Sequence, residues 1–277
     1  MRRRRRLLNA FDSETKVFDG YLLHSRFGTA AALDGTSIFV SSLSSNPMKP
    51  QVRADVRVPV MTVITETDLI GAARPGYLEA RQEDSERFRL WEIAGTAHAD
   101  NYMLQVGSMD SGVAPIEQLA EAFAPTKLLM GMELPYFINF APQHHYVLQS
   151  ALRRLHDWVR SGHLPATAKR LETKQPGVPE LVVDYHGIAC GGIRTPWVEV
   201  PIALTSGVSG DPGGIAGLFG SGEPFSQLML DQLYPEGKSD YLQRFASSLS
   251  DAIAAGFLLD EDRDEILNLA AAAWPSR

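Results

Sequence analysis

The sequence predicts an α/β fold, in which a mostly parallel sheet is flanked by helices and the C-terminal third is helical. Residues 58–64 are almost continuously apolar and β-branched, which is typical of a parallel strand covered on both faces. Residues 144–161 carry apolar side chains at three- and four-residue steps, as an amphipathic helix does. Nearer the C-terminus, the pattern predicts a helix over 225–233, a second helix capped by Ser239 and a third beginning near Asp260.

The first half of the chain is predicted to contain a β–α–β unit. A short buried strand is expected over 17–23, and a loop rich in Ser, Asn and Pro follows over 41–50. After the strand at 58–64, a charged stretch over 77–87 is expected to be helical and to lead into a second strand over 87–94. The period of two in that second strand predicts burial on one side only. The crossover between two such strands is expected to be right-handed.

The middle of the chain is predicted to combine a helix, a loop and two strands. Gly162 is well placed to end the helix at 144–161, because glycine readily adopts the left-handed conformation of a helix C-terminus. Three prolines between residues 165 and 179 then indicate a loop-rich passage. A strand-like pair is expected over 181–185 and 197–204.

Composition and charge exclude several classes of protein. The chain has 277 residues and a net charge of −7, which argues against a nucleic-acid binder with a basic face. A single cysteine, Cys190, rules out an intrachain disulfide and a cysteine-rich zinc site, and it fits a reducing, cytoplasmic location. No run of about 18 apolar residues is present, so no membrane span is expected.

The N-terminus is expected to be a segment apart, with residues 1–16 basic and residues 17–277 forming one partial domain. Five arginines follow Met1, but the apolar run of a signal peptide does not come after them. A nuclear or nucleic-acid-binding patch and a solvated basic end both remain open, and the solvated end is favoured.

Polar side chains follow two neighbouring strands of the predicted sheet. Glu66 and Asp68 come just after the first strand, and His98 comes just after the next. The carboxyl ends of parallel strands meet at one edge, and adjacent strands lie about 5 Å apart. A carboxylate and an imidazole can therefore come within hydrogen-bonding reach, as catalytic acid–histidine pairs do. Ordinary cap acids and a loop histidine remain the alternative on this evidence alone.

Four stretches of the chain carry a resemblance to a known family. Residues 17–26, 60–69, 80–100 and 191–201 resemble the uncharacterised bacterial "alpha/beta hydrolase domain" proteins, and the third stretch is the most specific. The resemblance runs from about Asn9 to the C-terminus. It implies an incomplete α/β-hydrolase-like domain that acts on a small-molecule acyl substrate, such as an ester or lactone, without a cofactor.

The same resemblance implies roles for individual residues. His98 would be the general base, and Asp68 would be the acid that orients it, with Glu66 as the rival. The family carries a Gly-x-Ser-Gln-Ser-like nucleophile elbow shortly before the segment that begins here at Asn9, where this chain has arginines. Because the elbow supplies both the serine and an oxyanion donor, the chain is expected to be inactive or a fragment as written. The missing strands would also leave a sheet edge open to self-association.

Other candidate residues are weighed against simpler roles. Ser25 follows a strand and is a candidate nucleophile, although a lining role is favoured because it recurs in the family beside the usual nucleophile. Arg194 is a candidate substrate-binding residue, with a structural salt bridge as the alternative. His144 and His145 are adjacent on a helix and point about 100° apart, so no metal site is predicted. The Gly-rich stretch 207–214 lacks the ending of a P-loop and is expected to be a flexible loop.

Two hypotheses of function therefore stand. The first is a serine-hydrolase lineage with His98 as base, and the second is a non-catalytic binding or interaction protein that retains part of the hydrolase fold.

Overall fold

A three-stranded parallel sheet forms the centre of the fold. The computed structural model describes residues 8–9, 12, 14, 16–30, 37, 51–72, 74–105, 113–210 and 214–275. The sheet consists of β1 (Tyr21–His24), β2 (Val60–Thr65) and β3 (Phe88–Ile93), in that spatial order. In the register, Val63 of β2 lies opposite His24 on one side and Trp91 on the other, so the carboxyl ends of the three strands reach the same edge.

The helices and shorter strands follow the sheet in the chain. The helices are α1 (Glu66–Ile70), α2 (Asn101–Gln105), α3 (Ile116–Ala122), α4 (Gln143–Ser161), α5 (Pro196–Glu199), α6 (Gln227–Leu233), α7 (Lys238–Ala254) and α8 (Arg263–Ala273). Two antiparallel pairs are formed by β4 (Leu128–Leu129) with β5 (Met132–Glu133) and by β6 (Ala203–Ser206) with β7 (Ser221–Pro224). Among the described residues, no helix has the length and apolar character that crossing a membrane requires.

Both faces of the sheet are covered, which explains the continuous apolar run of β2. Alternate residues of a strand point to opposite faces. Met61 and Val63 pack into a cluster with apolar residues of α4, α7 and α8, which we call the helix-side core. Val60 and Ile64 pack on the other face with residues from the loop after Gly162, which we call the loop-side core. The expected fold class, a parallel α/β sheet flanked by helices with a helical C-terminal third, is confirmed.

The predicted one-sided burial of β3 is wrong, because all six of its residues are buried. On one face, the Arg89 guanidinium donates to the carbonyl of Pro165, and the Trp91 indole donates to that of Ala166. The period of two in the sequence is real, but the loop-rich passage covers polar side chains that sequence alone places in solvent.

The connection between β2 and β3 also differs from the prediction. Within the stretch 77–87 that is predicted to be helical, Tyr77–Ala80 forms a short 3₁₀ turn, and the residues from 81 to 87 are not helical. Two charged side chains of this stretch contact the neighbouring strand instead of lying on the exposed face of a helix. Arg81 forms an ion pair with Glu92 of β3, and the Asp84 carboxylate accepts the N–H of Leu90.

The helix α4 confirms the prediction for residues 144–161 to within one residue. It packs against all three strands of the sheet and buries Tyr146, Val147 and Trp158 in the helix-side core. Gly162 ends it in the left-handed conformation at φ 76°, with its N–H donating to the carbonyl of Trp158.

The predicted strand pair at 181–185 and 197–204 is wrong. Leu181 and Val183 form only isolated bridges, and Pro196 opens the helix α5 because its fixed φ suits a first helical position. The strand that does form, β6, begins at Ala203 and pairs with β7. In the C-terminal third, the predicted Ser239 cap is also wrong, because α7 starts one residue earlier at Lys238. The arginine run at 2–6 and the loop at 41–50 lie outside the described residues.

Candidate active site

Asp68 is held by hydrogen bonds just after the end of β2. Thr65 caps α1, and its hydroxyl accepts the backbone N–H of Asp68. In return, Asp68 Oδ2 accepts the backbone N–H and the hydroxyl of Thr65, each at 2.9 Å. This capping box holds a fully buried carboxylate in one orientation and leaves Oδ1 for another partner.

His98 is that partner. It follows β3 after a turn, and its Nδ1 lies 2.7 Å from Asp68 Oδ1. The imidazole remains 21% exposed whereas the carboxylate is completely buried. Because an ionised carboxylate only accepts hydrogen bonds, Nδ1 donates and Nε2 is left to accept a proton. The ring of Phe27 packs against the imidazole at 4.9 Å between centroids.

Glu66 is held by backbone groups rather than by His98. Its Oε1 accepts the N–H of Gly95 at 2.5 Å, and its Oε2 accepts the N–H of Gly207 at 2.7 Å and the hydroxyl of Ser206 at 3.1 Å. Burial raises the pKa of the Glu66 carboxyl to about 7, although the N–H groups of Gly207 and Gly95 oppose that rise. Glu66 thus links the end of β2, the turn before His98 and the loop after β6. Of the two candidate acids, the structure brings Asp68 to the histidine.

A second line of polar side chains reaches the same edge of the sheet. Ser25, directly after β1, has an unusual positive φ of 49°, and its Oγ lies 3.1 Å from His24 Nε2. That same nitrogen lies 2.8 Å from Nε2 of His144. Nδ1 of His144 lies 3.1 Å from Oδ2 of Asp100, and Oδ1 of Asp100 accepts the N–H of Met103.

The two histidine–aspartate systems are electrostatically close. His24 as a residue is exposed, but its Nε2 lies in a half-buried contact with His144, and desolvation, followed by the neighbouring His144, lowers the pKa of His24 to about 4. The charges of Asp68 and His98 also act on the His24 pKa, which places both systems at one end of the sheet.

The sequence of the chain matches the model of one protein family. The family model described as "Alpha/beta hydrolase domain" matches residues 2–268. The chain belongs to this family. Nothing among the curated proteins or the solved structures matches it.

Arg194 of this α/β hydrolase domain protein lies in a set of structural contacts. Its guanidinium donates to the carboxylates of Glu199 and Asp184, at 2.5 and 3.0 Å, and to the carbonyls of Ala189 and Val198. The role of Arg194 in binding substrate stays a prediction, and its contacts fit the salt-bridge alternative.

Sequence reasoning missed three residues of the hydrolase domain's polar edge, namely His24, His144 and Asp100. Asp100 lies two residues beyond His98, which is a usable signal, but nothing in the sequence shows that residue 24 meets residue 144. Within the described part of the chain, no group of three or more His, Cys, Asp or Glu side chains is arranged to hold a metal ion.

The hydrolase domain also contains an apolar cavity of about 340 Å³ that these three residues do not line. It lies among α3, α5, α7 and α8 and is lined entirely by uncharged side chains, including Phe123, Phe140, Trp197 and Tyr241. Asp68 and His98 do not line it, so we base the chemistry on the polar edge of the sheet rather than on this cavity.

Proposed function

We propose that this protein carries the acid and the base of a serine hydrolase that cleaves ester, lactone or related acyl bonds in small molecules. The observation that supports this most strongly is the 2.7 Å contact between Asp68 and His98 at the ends of adjacent parallel strands. The single cysteine, Cys190, is free, and we propose a cytoplasmic setting in which it stays reduced.

The proposed chemistry assigns each nitrogen of His98 a separate task. Nε2 takes the proton of an attacking hydroxyl and later returns it to the leaving alcohol. Nδ1 stays bonded to Asp68, whose buried charge stabilises the imidazolium between these steps. Glu66 supports this arrangement by fixing the turn before His98 through the N–H of Gly95.

The resemblance leaves the nucleophile unassigned in this chain. Family members carry it on an elbow before the segment that begins here at Asn9, and the printed chain has no Gly-x-Ser-x-Gly sequence. We therefore propose that the chain as printed is inactive or nearly so, and that its base works when a serine elbow is supplied.

A chimera tests this proposal. The residues ahead of Asn9 are replaced by the elbow-bearing segment of a family member, and hydrolysis of p-nitrophenyl acetate is measured. We expect turnover that falls about 10²–10⁴-fold in His98→Ala and in Asp68→Asn. His156→Ala is the matched control, because His156 is 67% exposed on α4.

Thermal melting establishes that each variant folds. A folded His98→Ala chimera with the turnover of the parent would contradict the role of His98. A folded parent chimera without turnover would contradict the hydrolase proposal and favour the second candidate.

The second candidate function is an interaction protein that associates through β1. Among the described residues, β1 pairs only with β2. The N–H groups of Tyr21 and Ser25 point to β2, so the alternate N–H of Leu22 points away from the sheet. This candidate predicts a mass that rises with concentration in sedimentation and a monomer in Leu22→Pro, which lacks that outward N–H. A monomer at every concentration would contradict it.

A further inference from the structure

The side chains of Asp100, His144, His24 and Ser25 form a continuous hydrogen-bonded line, and the roles assigned above do not use it. We propose that this line holds the Ser25 hydroxyl as a hydrogen-bond donor for an acyl or anionic oxygen of the substrate, beside the Asp68–His98 pair. The inference rests on the proposed hydrolase function. It makes Ser25 a substrate-binding residue and the other three positioning residues.

The line is anchored at its buried end. Asp100 is 5% exposed, and its Oδ1 accepts the N–H of Met103 at 2.9 Å in the first turn of α2. Its Oδ2 is therefore left to accept Nδ1–H of His144. Since that proton is fixed at Nδ1, the bond between the two histidines runs through Nε2 of His144.

Whether Nε2 of His24 carries a proton or a lone pair determines whether His24 can act as a base for Ser25. A ring nitrogen has one in-plane position, which holds either a proton or a lone pair. If His144 is neutral, His24 Nε2–H donates to it; if His144 is protonated, its Nε2–H donates to the lone pair of His24. In both arrangements the 2.8 Å contact with His144 occupies this position, and Ser25 is the more distant partner at 3.1 Å.

His24 is therefore not a free base for Ser25. The serine keeps its own proton, and its O–H is available to a ligand. In the arrangement with neutral histidines, Ser25 Oγ also receives part of the His24 N–H bond, which polarises the hydroxyl as a donor. The lowered pKa of His24 agrees with a neutral ring at physiological pH.

The backbone of Ser25 supports a functional position. A positive φ is uncommon for a residue with a Cβ, and such strain is concentrated at binding and catalytic sites. Ser25 lies at the carboxyl end of a parallel strand, where ligands bind in open α/β sheets. The nearby Asp68–His98 pair would thus act on an acyl group whose oxygen Ser25 holds.

The test uses the 277-residue chain and phenylphosphonate, whose anionic oxygens imitate an acyl oxyanion. Binding is followed by the NMR shifts of the histidine ring nitrogens. We expect saturable binding that weakens about tenfold in Ser25→Ala, the size of one hydrogen bond to a charged group. Ser161→Ala, at the exposed end of α4, is the matched control and should bind as the parent does.

The positioning residues have their own readout. The spectra of the parent are expected to show a proton on His144 Nδ1, and in Asp100→Asn this signal should move and the affinity for phenylphosphonate should fall. In a chain that already carries His98→Ala, adding Ser25→Ala should still weaken the binding of phenylphosphonate. In the chimera, by contrast, His98→Ala alone should abolish turnover. Failure of the hydrolase proposal and failure of this inference are therefore distinguishable.

Three results would overturn the inference. One is a Ser25→Ala chain that binds phenylphosphonate as tightly as the parent. Another is a parent chain that shows no saturable binding. The third is a fluorophosphonate adduct located on Ser25 by mass spectrometry, which would make Ser25 a nucleophile instead.

Discussion

Two acids only two residues apart in α1 have different partners and hence different roles. The oxygens of Asp68 are divided between Thr65 and His98. The oxygens of Glu66 accept backbone N–H groups from Gly95 and Gly207. The acid on the histidine is the one that we propose orients the ring, and the other acid joins three segments of the chain.

The raised pKa of Glu66 predicts a pH-dependent stability. In the unfolded chain its carboxyl ionises near 4.5, and in the folded chain near 7. Between these values only the unfolded state releases the proton, so raising the pH favours unfolding by about 3 kcal/mol. We expect the urea midpoint to fall more steeply with pH in the parent than in Glu66→Gln, in which the raised pKa of Asp262 still contributes to a decline. The exposed Glu236→Gln is the control, and an equal decline in all three proteins would contradict this assignment.

At the scale of single residues, part of the candidate site could be predicted from the sequence. Asp68, Glu66 and His98 are visible because each follows a strand of a parallel sheet. The choice between the two acids depends on which oxygens the Gly95 and Gly207 N–H groups occupy, and this is tertiary information. The contact between His24 and His144 joins residues 120 positions apart, and no local pattern encodes it.

At the scale of elements, the loop after β6 packs closely against the start of α1 and the turn before His98. A Cβ on Gly207 would lie 2.5 Å from the backbone N of Thr67, from the Cβ of Glu66 and from the carbonyl oxygen of Thr96. The hydroxyl of Thr67 also donates to the Gly207 carbonyl at 2.7 Å. The start of α1 and the turn before His98 therefore depend on a glycine at position 207.

Substitution of two glycines separates this packing from simple backbone strain. Gly207→Ala is expected to cost ~1–3 kcal/mol of stability through overpacking and to perturb the His98–Asp68 hydrogen bond. Gly162→Ala meets no atom within 4 Å, so its positive φ alone costs ~1 kcal/mol and leaves that bond intact. Denaturant titration and the ring-nitrogen spectrum of His98 measure the two effects. An unchanged spectrum in Gly207→Ala would contradict the packing argument.

The elements that sequence predicted well are those whose local pattern agrees with their final surroundings. β2 and α4 bury the faces that their apolar residues indicate. The helix expected at 77–87 does not form beyond residue 80, because Arg81 and Asp84 find partners on β3. Long-range ion pairs of this kind override a helical propensity that is weak on its own.

At the scale of the whole molecule, the helix-side core joins the sheet to the C-terminal third. Trp91 of β3, Trp158 of α4 and Phe245 of α7 belong to this one cluster, and Phe245 is fully buried. The site-bearing sheet and the C-terminal helices are therefore expected to unfold together.

Truncation of Phe245 tests this coupling. Phe245→Ala should cost ~3–5 kcal/mol and shift the unfolding midpoints seen by tryptophan fluorescence and by circular dichroism equally. Leu228→Ala, at a position 70% exposed on α6, should change stability by less than ~0.5 kcal/mol. Two separate transitions in the Phe245→Ala protein would show that the C-terminal helices fold independently of the sheet.

The pairing of His98 with Asp68 is tested most directly by the protonation of the His98 ring, read from long-range proton–nitrogen NMR spectra of the chain at alkaline pH. This pairing predicts a proton on Nδ1, shifted downfield by the Asp68 carboxylate, and a bare Nε2. The downfield signal should disappear in Asp68→Asn and persist in Glu66→Gln. A neutral His98 with its proton on Nε2 would contradict the proposed role of His98 as general base, because the nitrogen assigned to accept the proton would already carry one.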